Sequence, residues 1–324
     1  MNNGVIGLTK TKGKPKKKRQ GWIHDIKTNP YLYVMMLPAL VYWIIFNYIP
    51  TGGVIIAFKE FRFDLGIIRS PWVGMDNFRI FLGNERFINL IRMTAFYSIA
   101  FMFVGLVTSV GLALLLSEIG SKYFKKISHS LIFLPYFVSW VVVSFIAFAL
   151  FNNRAGMLPA LLSSIGINFN FYTTPWIWPF ILTGATVWKS VGYGSIIYLA
   201  VITGTDPQLH ESARVDGASV WQRIWHVSLP LLRPTIILLT IMSLAGILST
   251  NGEMFFQLVG NNVMLHRTAD TIDAHILRSI LMPGGAIRFE QLAALGFFQQ
   301  FIGFVMIMLV NTIVKVIAPE RAIF

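Results

Sequence analysis

Few residues in this chain are of types that could do chemistry, and they are widely spread. Lys189 stands alone in a long uncharged run, Trp176–Thr203. It lies about 13 residues in, or roughly 20 Å deep at helical rise. An ammonium group at that depth is costly enough that lining a wet cavity is its default functional reading. There it would donate hydrogen bonds or balance a carboxylate. The structural reading is a pair with another chain or with a helix-end carbonyl, and residue type alone does not separate the two. Trp188 and Tyr193 flank it, while Gly192 and Gly194 fit close helix–helix approach. Glu253, Asn251 and Gln257 form a second polar group, and Gln299, Gln300 and Asn311 a third. Asp270, Asp273 and His275 come nearest to a metal set, but helix capping explains Asp270 more simply, so no metal is expected. There is no cysteine, the six histidines are scattered, and G-x-x-x-x-G-K-[ST] is absent. A self-sufficient enzyme or ATPase is not expected, and the chain itself calls for no cofactor.

The elements that must position these residues are membrane helices. Charged residues make up 13% of the 324, against about a quarter in soluble domains, and 55% are hydrophobic. Mean hydropathy is +0.64. A span needs about 20 mostly apolar residues. Six runs qualify: Tyr31–Ile49, Met93–Ser117, Ser130–Phe151, Trp176–Thr203, Leu231–Leu248 and Gln291–Val314. The first follows a basic stretch, yet its length and the unsuitable "IPTGG" behind it favour an uncleaved anchor over a signal peptide.

The net charge of +13 is concentrated in "KTKGKPKKKRQ", which reads as a cytosolic tail against acidic lipid. No aromatic or folded companion supports a nucleic-acid partner. With the N-terminus inside, inner segments carry sixteen Lys/Arg and outer ones ten, so both termini are read as cytoplasmic. The expected organisation is a basic tail over 1–29, one membrane domain over 30–318 and a short tail over 319–324. Outer connections at 50–92, 152–175 and 250–290 should carry short helices, including Met157–Ile165 and one starting near Thr271.

One inner loop is unlike the others: "ESARVDGASVWQRIWHVSLP", residues 211–230. Asp206 can cap a helix whose first residue is Pro207. That helix should end at Gly217, the residue best suited to a left-handed corner. Ser219 and Gln222 have the spacing of a capping box, and Pro230 should stop the second helix from running on as an ordinary one. A stiff two-helix elbow between two spans can transmit force, whereas an amphipathic linker of the same composition need not.

The stretch resembles the "EAA" loop of permease subunits in binding-protein-dependent ABC importers. The family pattern is E-A-A, three residues, G, nine residues, I, one residue, L-P. Here Glu211-Ser212-Ala213, Gly217, Val227 and Leu229-Pro230 keep the spacing, with Ser212 and Val227 as small departures. "PWVGMDNFRIF" and "TADTIDAHILR" are similar to the carbohydrate branch, in the subgroup linked to oligo- and polysaccharide uptake. The resemblance spans roughly residues 30 to 318. It implies an all-α integral membrane protein of the type I importer kind, in a bacterial cytoplasmic (inner) membrane. Six transmembrane helices would be joined by cytoplasmic coupling helices and short extracytoplasmic helices. The implied partners are a second homologous permease, a cytosolic ABC ATPase dimer that holds the ATP and magnesium, and an extracytoplasmic solute-binding protein. Glu211, Ser212, Ala213, Gly217, Leu229 and Pro230 would dock and shape the coupling loop. Lys189, Trp188, Tyr193, Glu253, Gln257 and Gln299 are the candidate pathway residues. Lys189 invites an acidic, alginate-like saccharide. The competing classes are a self-contained secondary transporter or channel, which would show an inverted repeat and in-membrane acids, and a membrane-embedded enzyme.

Overall fold

The computed structural model describes residues 26–282 and 288–317. The expected basic tail therefore lies outside the described residues up to residue 25, and the tail at 319–324 lies outside them entirely. The chain divides into two units, residues 1–53 and 54–324. Helix α1 (Pro30–Phe58) makes up most of what is described in the first. Its part within the first unit, 30–53, is apolar on all sides and nearly all exposed, as suits a helix whose solvent is lipid.

In the second unit the segment 54–84 carries two short helices, α2 (Gly66–Arg69) and α3 (Asp76–Leu82). Then come α4 (Glu85–Glu118), α5 (Lys122–Phe137), α6 (Trp140–Phe151), α7 (Met157–Ser164) and α8 (Trp178–Gly204). The elbow helix α9 (Pro207–Val215) precedes α10 (Val220–Leu244). The last four are α11 (Gly252–Val259), α12 (Val263–Ala269), α13 (Ile272–Leu281) and α14 (Phe289–Ile317). Five helices are long and apolar enough to span, or six when the bent α5–α6 pair counts as one.

That pair corrects the expected third span. Ser130–Phe151 is two helices meeting at 96°. Pro135 brings no N–H, and its ring crowds the carbonyl four residues back. The chain tightens into a 3₁₀ turn over Leu134–Phe137 and restarts at Ser139, whose Oγ accepts from the Val142 amide at 3.3 Å. Hydropathy counts apolar residues and is blind to this break.

The fifth span differs in the opposite sense. It was expected to begin at Leu231 beyond a stop at Pro230, yet α10 runs continuously from Val220 to Leu244. Proline is accommodated by widening one turn into a π turn over Ile224–Ser228, closed by the Leu229 amide on Ile224 O. An identical device stands at Ile44–Tyr48, two residues ahead of Pro50. The far end also differs, because α10 stops at Leu244 rather than Leu248, and Glu253 belongs to the separate helix α11.

Three buried clusters hold the second unit together. One joins Tyr97, Trp140, Trp178, Leu182 and Phe255. A second unites Phe78, Leu90, Ile272 and Leu295, and a third Val110, Leu114, Tyr198, Ile224 and Leu232. Two glycines of α8 set its distance from its neighbours. A Cβ on Gly192 would come within 2.5 Å of Ile132 O, and one on Gly194 within 2.5 Å of Ser109 Oγ.

Candidate functional site

The caps and corner of the elbow, over 206–222, form by local chemistry. Asp206 Oδ1 accepts from the Gln208 amide at 3.0 Å, with Pro207 in the first helical position. Gly217 takes φ +78°. The Ala218 amide reaches Ala213 O at 2.9 Å and the Gly217 amide reaches Arg214 O at 3.1 Å, the paired bonds of a Schellman ending. The capping box then closes: the Ser219 amide donates to Gln222 Oε1 at 2.7 Å, and the Gln222 amide to Ser219 Oγ at 3.3 Å.

Glu211, Ser212 and Gly217 are exposed, Ala213 is half-buried, and Leu229 and Pro230 sit at the close of the π turn. Beside them the elbow exposes large apolar side chains, with Val215 at 87% and Trp221 at 67%. Apolar surface of that extent on a helix pair this polar is a mark of an interaction face.

A support that sequence reasoning missed fixes this elbow to the bundle. Arg223, early in α10, pairs with Glu118 at the end of α4, both side chains 11% exposed. Its Nη1 also donates to Ala218 O at 2.8 Å, next to the Gly217 corner. Neither residue carries a local signal, because the partners are 105 positions apart.

Lys189 lies at the broken third span. Its Nζ donates to Tyr136 O at 2.6 Å, one of the carbonyls orphaned where α5 ends. The ammonium sits 5.4 Å from the Tyr136 ring centre and 5.5 Å from that of Trp140, within cation–π range. Tyr193 stacks on Tyr136 with centroids 4.4 Å apart and planes 9° from parallel. Trp188 does not join this group and instead lines an apolar recess of about 500 Å³ between α6 and α8.

A model of the "binding-protein-dependent transport system inner membrane component" family matches residues 18–320. The chain belongs to this family. It is 32% identical over 308 residues to the polygalacturonan/rhamnogalacturonan transport system permease protein YteP of Bacillus subtilis (strain 168), covering 94% of each chain. It also superposes on a chain of a bacterial ABC transporter involved in import of the acidic polysaccharide alginate. There the TM-score is 0.80 at 32% identity, over 91% of this chain and 99% of that one. A chain of a bacterial alginate ABC transporter in complex with a periplasmic protein carrying an alginate pentasaccharide gives 0.79 at 32% identity, over 91% and 98%. This permease is accordingly a membrane transport component and not an enzyme.

The permease keeps its remaining polar candidates apart from Lys189. Among the described residues no hydrogen bond joins Lys189 to Glu253, Gln257 or Gln299. Glu253 is exposed in the first turn of α11, where Asn251 is the cap, and Gln257 is half-buried. Gln299 is buried in α14 and donates to Asp273 at 3.0 Å; the same carboxylate receives the Thr250 amide at 2.6 Å. Asp270 is not a cap: it pairs with Arg278 at 3.0 Å, and Thr271 caps α13. Burial, with Arg86 and Arg278 adding to it, pushes His275 down to about 4 against the pull of Asp270. Asp273 ties α13 to α14 and to Thr250, while Asp270 braces α13 through its own Arg278.

Proposed function

We propose that this permease forms half of the membrane pathway of an ATP-driven importer of acidic oligo- or polysaccharide. It works beside a second homologous permease, and a cytosolic ABC ATPase dimer docks on residues 206–230. An extracytoplasmic solute-binding protein delivers the sugar. Both termini face the cytoplasm. The observation that carries this reading is the elbow: a doubly capped helix pair between two spans, exposing Glu211, Val215 and Trp221 and locked to α4 through Arg223. A stiff projection converts closure of an ATPase groove into displacement of the spans, and ATPase closure then shifts the population toward the outward-facing arrangement. Gly217 sets the corner, Glu211 offers an anion to the ATPase, and Ala213 permits close approach. Ser212 shares the docking face, while Leu229 and Pro230 shape its exit.

Two facts support the acidic substrate. One relative is named for polygalacturonan/rhamnogalacturonan transport and a solved neighbour for alginate import, and the lone lysine of α8 has an uncharged carbonyl as its partner. Lys189, with Tyr193 beside it, is the pathway group assigned to a sugar carboxylate. Trp188, Glu253, Gln257 and Gln299 are further pathway candidates. Affinity purification of the tagged chain from native membranes should bring down an ATPase and a second permease, and uptake by the reconstituted assembly should require ATP. Sugar uptake by this chain alone in liposomes would overturn the reading in favour of a secondary transporter.

A further inference from the structure

At the end of α8 away from the elbow, about 40 Å along the helix at 1.5 Å per residue, the segment 152–174 folds into two adjoining clefts. Their volumes are about 610 and 460 Å³, within the 300–1,000 Å³ typical of ligand sites. Asn153, Arg154 and Asn170 line both clefts, Asn168 the larger, and Asn152 and Tyr172 the smaller. No acidic residue lines either cleft, and none occurs anywhere between Glu118 and Asp206. Arg154 is the sole Lys or Arg between Lys126 and Lys189.

The walls are fixed before any ligand arrives. Asn152 Oδ1 accepts from the amides of Arg154 and Ala155 at 2.9 and 3.1 Å, closing the turn from which the guanidinium projects. Asn170 Oδ1 accepts from the Tyr172 amide at 3.1 Å, and Asn262 donates to Tyr172 O at 2.9 Å. Once these bonds are made, the Asn152 and Asn170 amide nitrogens and the whole Arg154 guanidinium have no partner among the described residues. Burial raises the Tyr172 phenol above its ordinary range, which keeps it protonated and able to donate. Phe169 adds a flat apolar face to the larger cleft.

Amide donors, an aromatic face and one uncompensated guanidinium together suit a particular ligand. Hydroxyls and ring oxygens meet the amides, sugar C–H faces meet the rings, and a planar carboxylate meets the Arg fork. We propose that the Arg154 cleft is a receiving subsite for a uronate unit of the incoming saccharide, separate from the Lys189 group within the bundle. This rests on the carbohydrate reading above, to which it adds a contact point and a role for Arg154. An electropositive cleft at that end would also raise the local concentration of an anionic chain.

The test is ATP-driven uptake of short oligogalacturonates and oligomannuronates by the complete reconstituted transporter, with Arg154→Gln and Arg154→Lys compared. Arg154 is exposed, so neither change threatens folding. Loss of one charge-assisted contact should raise KM about tenfold in Arg154→Gln. Maximal rate and sugar-free ATP hydrolysis should stay unchanged, and Arg154→Lys, which keeps the charge but not the fork, should recover part of the affinity. An unchanged KM in Arg154→Gln, or an equal rise in Arg154→Lys, would overturn the subsite and leave the importer reading standing. If the unaltered transporter takes up neither oligouronate, the acidic-substrate reading falls and the subsite falls with it.

Discussion

The Glu118–Arg223 pair is where the coupling reading meets a measurable energy. Each side chain is 11% exposed, so truncating one partner to an apolar side chain leaves the other charge unpaired in a poorly solvated place, at a cost of about 3–5 kcal/mol. Arg223→Met loses in addition the bond to Ala218 O, worth about 1 kcal/mol. Glu118→Gln keeps an acceptor and the side-chain shape but gives up the charge, and should cost about 1.5–3 kcal/mol. The double variant removes both charges, so its cost should fall at least about 1 kcal/mol short of the sum of the singles. These energies act on the junction of elbow and α4, and local opening of residues 207–223 should report them. At about 1.4 kcal/mol per factor of ten, amide exchange there should accelerate about tenfold to a hundredfold in Glu118→Gln, with the spans still protected. The assembled transporter should at the same time spend more ATP per sugar carried, because a loosened elbow absorbs the stroke. Unchanged exchange across 207–223 in Glu118→Gln, or strictly additive effects in the double variant, would refute the lock.

Three further predictions rest on separate features. Gly217→Leu puts a side chain at φ +78° with nothing within 4 Å of its Cβ. Strain of about 1–2 kcal/mol rather than a clash should deform the corner, giving normal membrane insertion but weak ATPase retention in pull-downs; normal ATP-dependent uptake would refute it. Gly192→Ala should lower stability by about 1–3 kcal/mol, since its Cβ would meet the Ile132 carbonyl. Gly184→Ala, where the space is open, should be silent in the same thermal melt. For His275 the folded value of about 4 lies below the 6.5 of an ordinary histidine, so the unfolded chain binds the extra proton. Its contribution, about 3 kcal/mol at 1.36 per unit, is complete above pH 6.5 and is lost as pH falls toward 4. His275→Gln should flatten the melting temperature across that window by about one proton's worth, and an unchanged slope would refute the burial argument.

The parts of this fold that were legible are those written in short-range signals. Asp206, Pro207, Gly217, Ser219 and Gln222 act on amides within a few residues of themselves, so caps and corner could be placed without a fold. The same holds for Met157–Ser164 and for the Thr271 cap of α13. The break at Pro135 was locally encoded as well, but it lies inside an apolar run where composition hides conformation. Pro230 was read as a stop because a π turn depends on what the rest of the helix gains by continuing. Ile224, which opens that turn, and Leu232, beyond it, are both buried in one cluster, and that gain is tertiary. Pairings across the chain, Arg223 with Glu118 and Lys189 with Tyr136 O, were not legible, since nothing near either residue names its partner.

These long-range pairings explain why the elbow can act as a lever. One arm leaves α8 directly through Thr205, and the other is tied to the end of α4 by Arg223. α4 and α8 pack closely at Gly194, where a Cβ would come within 2.5 Å of Ser109 Oγ. Under the proposed docking, a push on residues 207–223 would therefore be carried to both α4 and α8. α8 carries Lys189, which holds the end of α5 by its Tyr136 carbonyl, so the same motion reaches the broken span. A rigid third span would resist that displacement, whereas a chain already bent by 96° at Ser139 can change its angle without losing helical hydrogen bonds. On this argument the α5–α6 break would serve as the hinge of the proposed importer. A restraint placed there, such as a cross-link between residues 134 and 140, should stop sugar uptake while leaving ATPase docking at the elbow intact.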